Sequence, residues 1–189
     1  MKSELRRIVV TGATGFIAKH VMALLLEEGF QVVGTVRNSA KAEEVRATLS
    51  DICRVAVGQE NLLIRPADLL ADGGWHDVMA GADAVMHLAA AVPMREPRDP
   101  QSVIRPALEG TERVLLYAAR AGIDRVVMTS SIAAIGYGHS PGEKTIRLGV
   151  KDWTDVKGLK GRWAYAEAKV RAELRAWEMA EKAQIGLTS

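Results

Sequence analysis

The chain has 189 residues, 48% of them hydrophobic and 25% charged, with 25 Lys and Arg against 23 Asp and Glu and a net charge of +2. That size and apolar content suit one globular domain with a real core, and so even a charge balance gives no reason to expect a nucleic-acid partner. No stretch approaches the ~18 apolar residues of a membrane span, and Lys2, Arg6 and Arg7 precede a run, Ile8-Val9-Val10, that Thr11-Gly12 cuts too short for a signal peptide.

Strands and helices are expected to alternate along the chain. Arg7 to Val10 reads as a short buried strand and Phe16 to Glu28 as a helix, with Ile17, Val21, Leu24, Leu25 and Glu28 at helical spacing and Gly29 ending it. Gln31 to Val36 is a second, β-branched strand, and Ala40 to Leu49 a charged helix with a weak apolar face. Asn61 to Ile64 and Asp83 to Leu88 read as the third and fourth strands. Gln101 to Ala121 is a long helix closed by Gly122, Arg125 to Met128 the fifth strand, and Gly136 to Gly161 a loop. Ala164 to Ala183, rich in Ala, Glu, Lys and Arg, is a further helix, and Ile185 to Ser189 begins a sixth strand. Continuous apolar strands separated by helices imply an α/β fold, a parallel sheet doubly wound with helices on both faces. A sheet that stops as its sixth strand begins exposes an edge, so the chain is expected to be a fragment of a longer protein, the alternative being a naturally short protein with a frayed tail.

Cys53 is the only cysteine and cannot form an internal disulfide, which fits a reducing, cytoplasmic setting; it reads as a small buried or half-buried apolar residue. The four histidines, His20, His76, His87 and His139, form no metal-ligand spacing, and no metal is expected.

The first strand runs into Thr11-Gly12-Ala13-Thr14-Gly15-Phe16-Ile17-Ala18. Gly12 suits a tight turn, and Gly15 lets backbone approach a pyrophosphate that then meets the helix N-terminus. Ala18 stands where a third small residue packs helix on strand. This strand–turn–helix context points to a dinucleotide. An NAD site places an acid about 20 residues beyond the glycines. Here the second strand ends Thr35-Val36-Arg37-Asn38. Arg37, with Lys41 in reach, suits a 2′-phosphate, so NADP(H) is the expected cofactor.

Tyr165 and Lys169 stand four apart at the start of the last helix, on one face. A tyrosine ordinarily titrates at about 10, and a nearby ammonium favours the phenolate. Such a tyrosine can donate a proton to a carbonyl oxygen as hydride arrives, and Lys169 can also hold a ribose. The fifth strand ends Met128-Thr129-Ser130-Ser131, and a hydroxyl there can bond a developing alkoxide. Ser131 is the first choice and Ser130 the second.

Glycine turn, strand-end serines and Tyr-x3-Lys in this order resemble the extended short-chain dehydrogenase/reductase superfamily, which includes the NAD-dependent epimerases and dehydratases. His87-Leu88-Ala89-Ala90-Ala91-Val92-Pro93-Met94, Asp99-Pro100, Val103 to Ala107, Gly110-Thr111, Arg125 to Ser131 and Asp152-Trp153-Thr154-Asp155 look like its dihydroflavonol reductase, cinnamoyl-CoA reductase and aldehyde reductase branch. The segment after Lys169, with Ala172-Glu173 and Ala176-Trp177, fits as well. The resemblance implies a Rossmann fold and assigns catalysis to Ser131, Tyr165 and Lys169. It implies that Gly12, Thr14, Gly15, Phe16 and Ile17 hold the pyrophosphate, that Asp68 and Leu69 flank the adenine, and that Leu88, Ala89 and Ala90 line the cofactor with backbone. Pro93, Met94 and Ser131 would border the substrate, and His87 would be a packing residue at a strand end. Ala18 departs from the commoner third glycine, and Ala168 stands where this branch often has serine. Residues 1–189 then form one NADP-binding domain that includes the Tyr-x3-Lys helix and lacks the C-terminal substrate lobe.

The expected activity is NADPH-dependent reduction of an aldehyde or ketone, with a small carbonyl compound as partner. The alternatives are a sugar-nucleotide epimerase or dehydratase, or a hydroxysteroid dehydrogenase, on the same scaffold, and a non-catalytic dinucleotide-binding fragment. The 101–121 and 164–183 helices would pair two subunits in a homodimer or simply cover the sheet of a monomer.

Overall fold

A computed structural model describes residues 6–139, 145–159 and 163–189. The strands are β1 (Arg7–Thr11), β2 (Gln31–Val36), β3 (Leu62–Pro66), β4 (Ala84–His87), β5 (Arg125–Met128) and β6 (Gly186–Thr188). They form one sheet in the order β3-β2-β1-β4-β5-β6, every neighbouring pair parallel. The chain moves outward one way from β1 to β3 and the other way from β4 to β6. The β1–β4 seam is therefore the switch point at which a doubly wound sheet opens a crevice.

The α-helices among the described residues are α1 (Phe16–Glu27), α2 (Ala42–Ile52), α3 (Trp75–Met79), α4 (Gln101–Arg120) and α5 (Ala164–Ala183). Alternate strand residues face opposite sides, so the sheet builds two cores. Ile8, Val10, Val32 and Leu62 pack with Met22, Leu26, Val45 and Leu49 of α1 and α2. Val9, Val33, Val85 and Val126 pack with Trp75, Val114, Ala118 and Ala176 of α3, α4 and α5. Helices on both faces are what the uninterrupted apolar strands imply.

Several elements differ from the sequence expectation. The buried face of α1 is Ala18, Met22, Ala23 and Leu26, not the set through Ile17, Val21, Leu24, Leu25 and Glu28; Ile17 and Leu24 are exposed. Residues 21–26 are apolar without a break, so helical spacing alone fits more than one face. The sheet takes the face with two alanines, which lets the helix sit close. The Ala40–Leu49 helix resolves into a 3-10 turn at Ser39–Lys41, capped by Asn38 Oδ1 accepting from Ala40 N at 2.9 Å, followed by α2 running on to Ile52. The third strand runs Leu62–Pro66 rather than Asn61–Ile64, because its ladder with β2 continues to the pair Val36 and Pro66. Pro66 is tolerated because β3 is an edge strand, where one N–H is not needed. Helix α3 was not expected at all. The 136–161 loop has no strand or helix among its described residues, and its residues 140–144 and 160–161 lie outside them.

Candidate active site

β1 delivers the chain into the glycine turn at the seam. Gly12 has φ of 74°, and a Cβ there would lie 2.9 Å from Ala89 Cα on the turn after β4. Both conformation and space therefore demand glycine. Gly12 N donates to Thr35 Oγ1 at 3.0 Å, and Gly15 N donates to Gly12 O at 2.8 Å. Helix α1 then opens after Gly15 with no side-chain cap and no acid in its first turn. Its first N–H groups have no intrahelical acceptor and sit at the positive end of the helix. This is a cradle for an anion such as a pyrophosphate.

A cleft of about 420 Å³ follows the seam. Gly12, Thr14 and Gly15 line it at one side, Arg37 at the end of β2, Asp68 and Leu69 after β3, and Leu88, Ala89 and Ala90 after β4. These expected cofactor residues converge. Three others do not. Phe16 and Ile17 are exposed and do not line the cleft. Lys41 is also off the cleft, because its ammonium pairs with Glu44 Oε2 at 2.6 Å one helical turn away. A local i,i+3 partner outcompetes the position proposed for it beside Arg37.

A second pocket adjoins the first, and Ala89, Ala90 and Ala91 belong to both. Tyr165 and Lys169 of α5, Thr129 after β5 and His87 at the end of β4 line it. Lys169 is buried, 6% exposed, and its Nζ donates to Thr129 O at 2.9 Å. The same Nζ lies 5.8 Å from the centre of the Tyr165 ring. Burial pulls the lysine below its ordinary pKa, and the Glu173 carboxylate opposes that shift. Tyr165 is wedged between Val103, Ile104 and Ala168 on one side and Ala133 and Leu159 on the other.

The serines after β5 take separate tasks. Ser131 Oγ accepts from Ala133 N at 3.1 Å and caps the 3-10 turn Ile132–Ala134 on which Tyr165 packs. Its proton remains available to a further acceptor, although Ser131 is not itself among the residues lining the second pocket. Ser130, the second choice, donates its Oγ proton to Glu173 Oε2, and it does not line the second pocket either. Pro93 is half-buried and Met94 wholly exposed, and neither lines either pocket. Their loop is anchored instead by Glu96, whose carboxylate accepts from Ala164 N at 2.8 Å at the start of α5.

Sequence reasoning missed several residues that shape the site. Thr129 shares the pocket of Tyr165 and Lys169, and His87 is more than packing: it bonds Thr11 Oγ1 through Nδ1 at 2.8 Å and Thr111 Oγ1 through Nε2 at 3.3 Å. Burial pushes the imidazole pKa down to about 4, with Lys169 adding to the effect. Trp75 and Arg113 support the Asp68–Asp72 segment. A polar residue amid an apolar strand signals His87; nothing local signals Arg113.

The strand order, the glycine cradle at the seam and the Tyr–Lys pair define a Rossmann-type α/β protein with a two-part cleft. Residues 8–189 match the NAD dependent epimerase/dehydratase family, and the chain belongs to that family. Cinnamoyl-CoA reductase 1 of Petunia hybrida is 34% identical over 182 residues, a match covering 95% of this chain and 51% of that protein. Tetraketide alpha-pyrone reductase 1 of Arabidopsis thaliana is 32% identical over 186 residues, covering 97% and 55%. Among solved structures, Gre2 in complex with NADPH from Candida albicans superposes with a TM-score of 0.81 at 29% identity, covering 97% of this chain and 56% of that one. The chain thus spans about half the length of the curated relatives it matches.

Proposed function

We propose that this chain is the NADP(H)-binding part of an oxidoreductase that reduces an aldehyde or ketone to an alcohol. The observation that carries the reading is the shared border of the two pockets. Ala89, Ala90 and Ala91 join the glycine-cradle cleft to the pocket of Tyr165, Lys169 and Thr129. A dinucleotide laid along the seam would have its phosphates at the cradle and its reactive end at the tyrosine. The names of the relatives as reductases, and the NADPH bound to Gre2, support the same reading.

The cradle fits a dinucleotide: its closest approach, between Gly12 and Ala89, leaves no room for a side chain. Arg37 offers a planar cation to a 2′-phosphate. A reduced nicotinamide supplies the hydride. The Tyr165 hydroxyl gives its proton to the substrate oxygen, so the carbonyl carbon gains hydride and the oxygen gains the proton. The Lys169 ammonium steadies the phenolate left behind and holds the ribose. Ser131, whose Oγ accepts from Ala133 N and keeps its proton free, would donate a hydrogen bond to the same oxygen without giving up that proton. Pro93 and Met94 border the substrate once the rest of the enzyme is in place, the residues 1–189 forming one cofactor domain. A cytoplasmic location agrees with the free thiol of Cys53.

The test uses a form as long as the relatives and follows NADPH oxidation over a panel of aldehydes and ketones. Tyr165→Phe should abolish turnover and leave NADPH affinity unchanged. Turnover equal to that of the unsubstituted enzyme refutes the assignment.

A further inference from the structure

The cleft wall formed by Asp68, Leu69 and Leu70 belongs to no strand or helix. Its shape is imposed from outside. Arg113 of α4 reaches beneath it: Nε donates to Asp72 Oδ1 at 2.6 Å, and Nη1 donates to Leu69 O in a short hydrogen bond and to Glu109 O at 3.2 Å. The Arg113 side chain is 17% exposed. From the α3 side, Trp75 Nε1 donates to Asp68 O at 2.9 Å and Ala71 O at 3.0 Å. Leu69 rests on Gly110, where a Cβ would lie 2.8 Å from Leu69 Cβ. The carbonyls of Asp68, Leu69 and Ala71 are all held, so the wall exists before any ligand arrives.

We propose that Arg113 is a positioning residue for dinucleotide binding: it fixes the 68–72 segment as the wall against which the adenine half is held. The inference rests on the reading of the cleft given above and adds the device that preorganises it. A segment without its own hydrogen-bond ladder must otherwise be ordered by the ligand, which weakens binding. A guanidinium holds its donors in a rigid planar fork, Nε toward the carboxylate and Nη1 toward the carbonyls; an ammonium gathers its three donors on one point charge and spans those positions less well. Arg113 lines neither pocket itself, and outside its own helix its hydrogen bonds go to Leu69 and Asp72, so it acts on the cleft through the 68–72 wall.

Two probes separate the ends of the cleft: adenosine 2′,5′-bisphosphate, measured by calorimetry, and reduced nicotinamide mononucleotide, measured by ligand-observed NMR. R113A should weaken the bisphosphate by at least about tenfold and leave the mononucleotide unchanged. R113K, which keeps the cation and the stem, should recover only part of the loss. A bisphosphate affinity equal to wild type in R113K, or equal losses for both probes in R113A, overturns the inference. Arg37→Asp is the control. If it weakens the bisphosphate while R113A does not, the cleft reading stands and the role of Arg113 falls. If the unsubstituted chain does not bind the bisphosphate, both fall.

Discussion

Thr11 and His87 close the β1–β4 seam through one 2.8 Å hydrogen bond whose proton can be assigned. Thr11 Oγ1 accepts from the N–H groups of Leu88 and Ala89 at 3.1 and 3.0 Å. Its own proton must therefore go to His87 Nδ1. The ring proton is left on Nε2, directed at Thr111 Oγ1. This neutral tautomer draws the turn after β4 onto the glycine cradle, and a second ring proton would break the Thr11 bond.

The pH dependence of stability follows. The unfolded chain protonates His87 at its ordinary value of 6.5, the folded chain only at about 4. Between those values the unfolded state holds more protons, so stability falls as pH drops through that window, by up to about 3 kcal/mol. His87→Gln should flatten this part of the curve. Urea unfolding at about pH 4.5 and about pH 7 measures it; the wild-type slope persisting in the variant would sink the assignment.

Among the described residues Arg37 is the one cationic side chain lining the cleft, since Lys41 is engaged with Glu44, and the proposed function gives it the 2′-phosphate. Arg37→Asp should weaken NADPH by about a hundredfold and leave NADH nearly unaffected, as expected for losing charge-assisted bonds to one phosphate. Titration with both cofactors decides, and an unchanged ratio of affinities counts against NADP preference.

Lys169 is a buried cation, and folding suffers for it. Lys169→Met keeps the volume and removes the charge. Chain stability should rise by about 1 kcal/mol, since a methionine is not penalised by burial, while the proposed turnover, assayed in a form as long as the relatives, collapses. Chemical denaturation reads the first effect and NADPH oxidation the second. A less stable variant would mean that the bond to Thr129 O outweighs desolvation.

Gln184 closes α5 with φ of 57°, a left-handed conformation that favours glycine, and its side chain is exposed. Gln184→Gly should stabilise the chain by about 1 kcal/mol, a melting-temperature rise of about 2–4 °C. A lower melting temperature refutes this reading of the cap.

The placement of the candidate residues was legible where the physics is local. Gly12 is readable because only glycine takes that turn, Arg37 because its strand ends where a cofactor phosphate is expected, and Tyr165 and Lys169 because helical spacing puts them on one face. β5 runs Arg125–Met128 as its β-branched run implies. The face of α1 was not readable, because an unbroken apolar run has no single period. Lys41 misled because a neighbour three residues away claimed its charge. Ser130 and Ser131 are adjacent in sequence, and their partners, Glu173 for Ser130 and Ala133 N for Ser131, separate their tasks.

By itself the sequence determined the alternation of strands and helices, the glycine cradle and the helical spacing that puts Tyr165 and Lys169 on one face, because turn conformation and side-chain period depend on near neighbours. The tertiary structure decided which of those residues meet. Thr11 finds His87 across 76 residues and Arg113 finds the Leu69 carbonyl across 44. Such contacts depend on strand order and register, which come from burying both faces of the whole sheet at once.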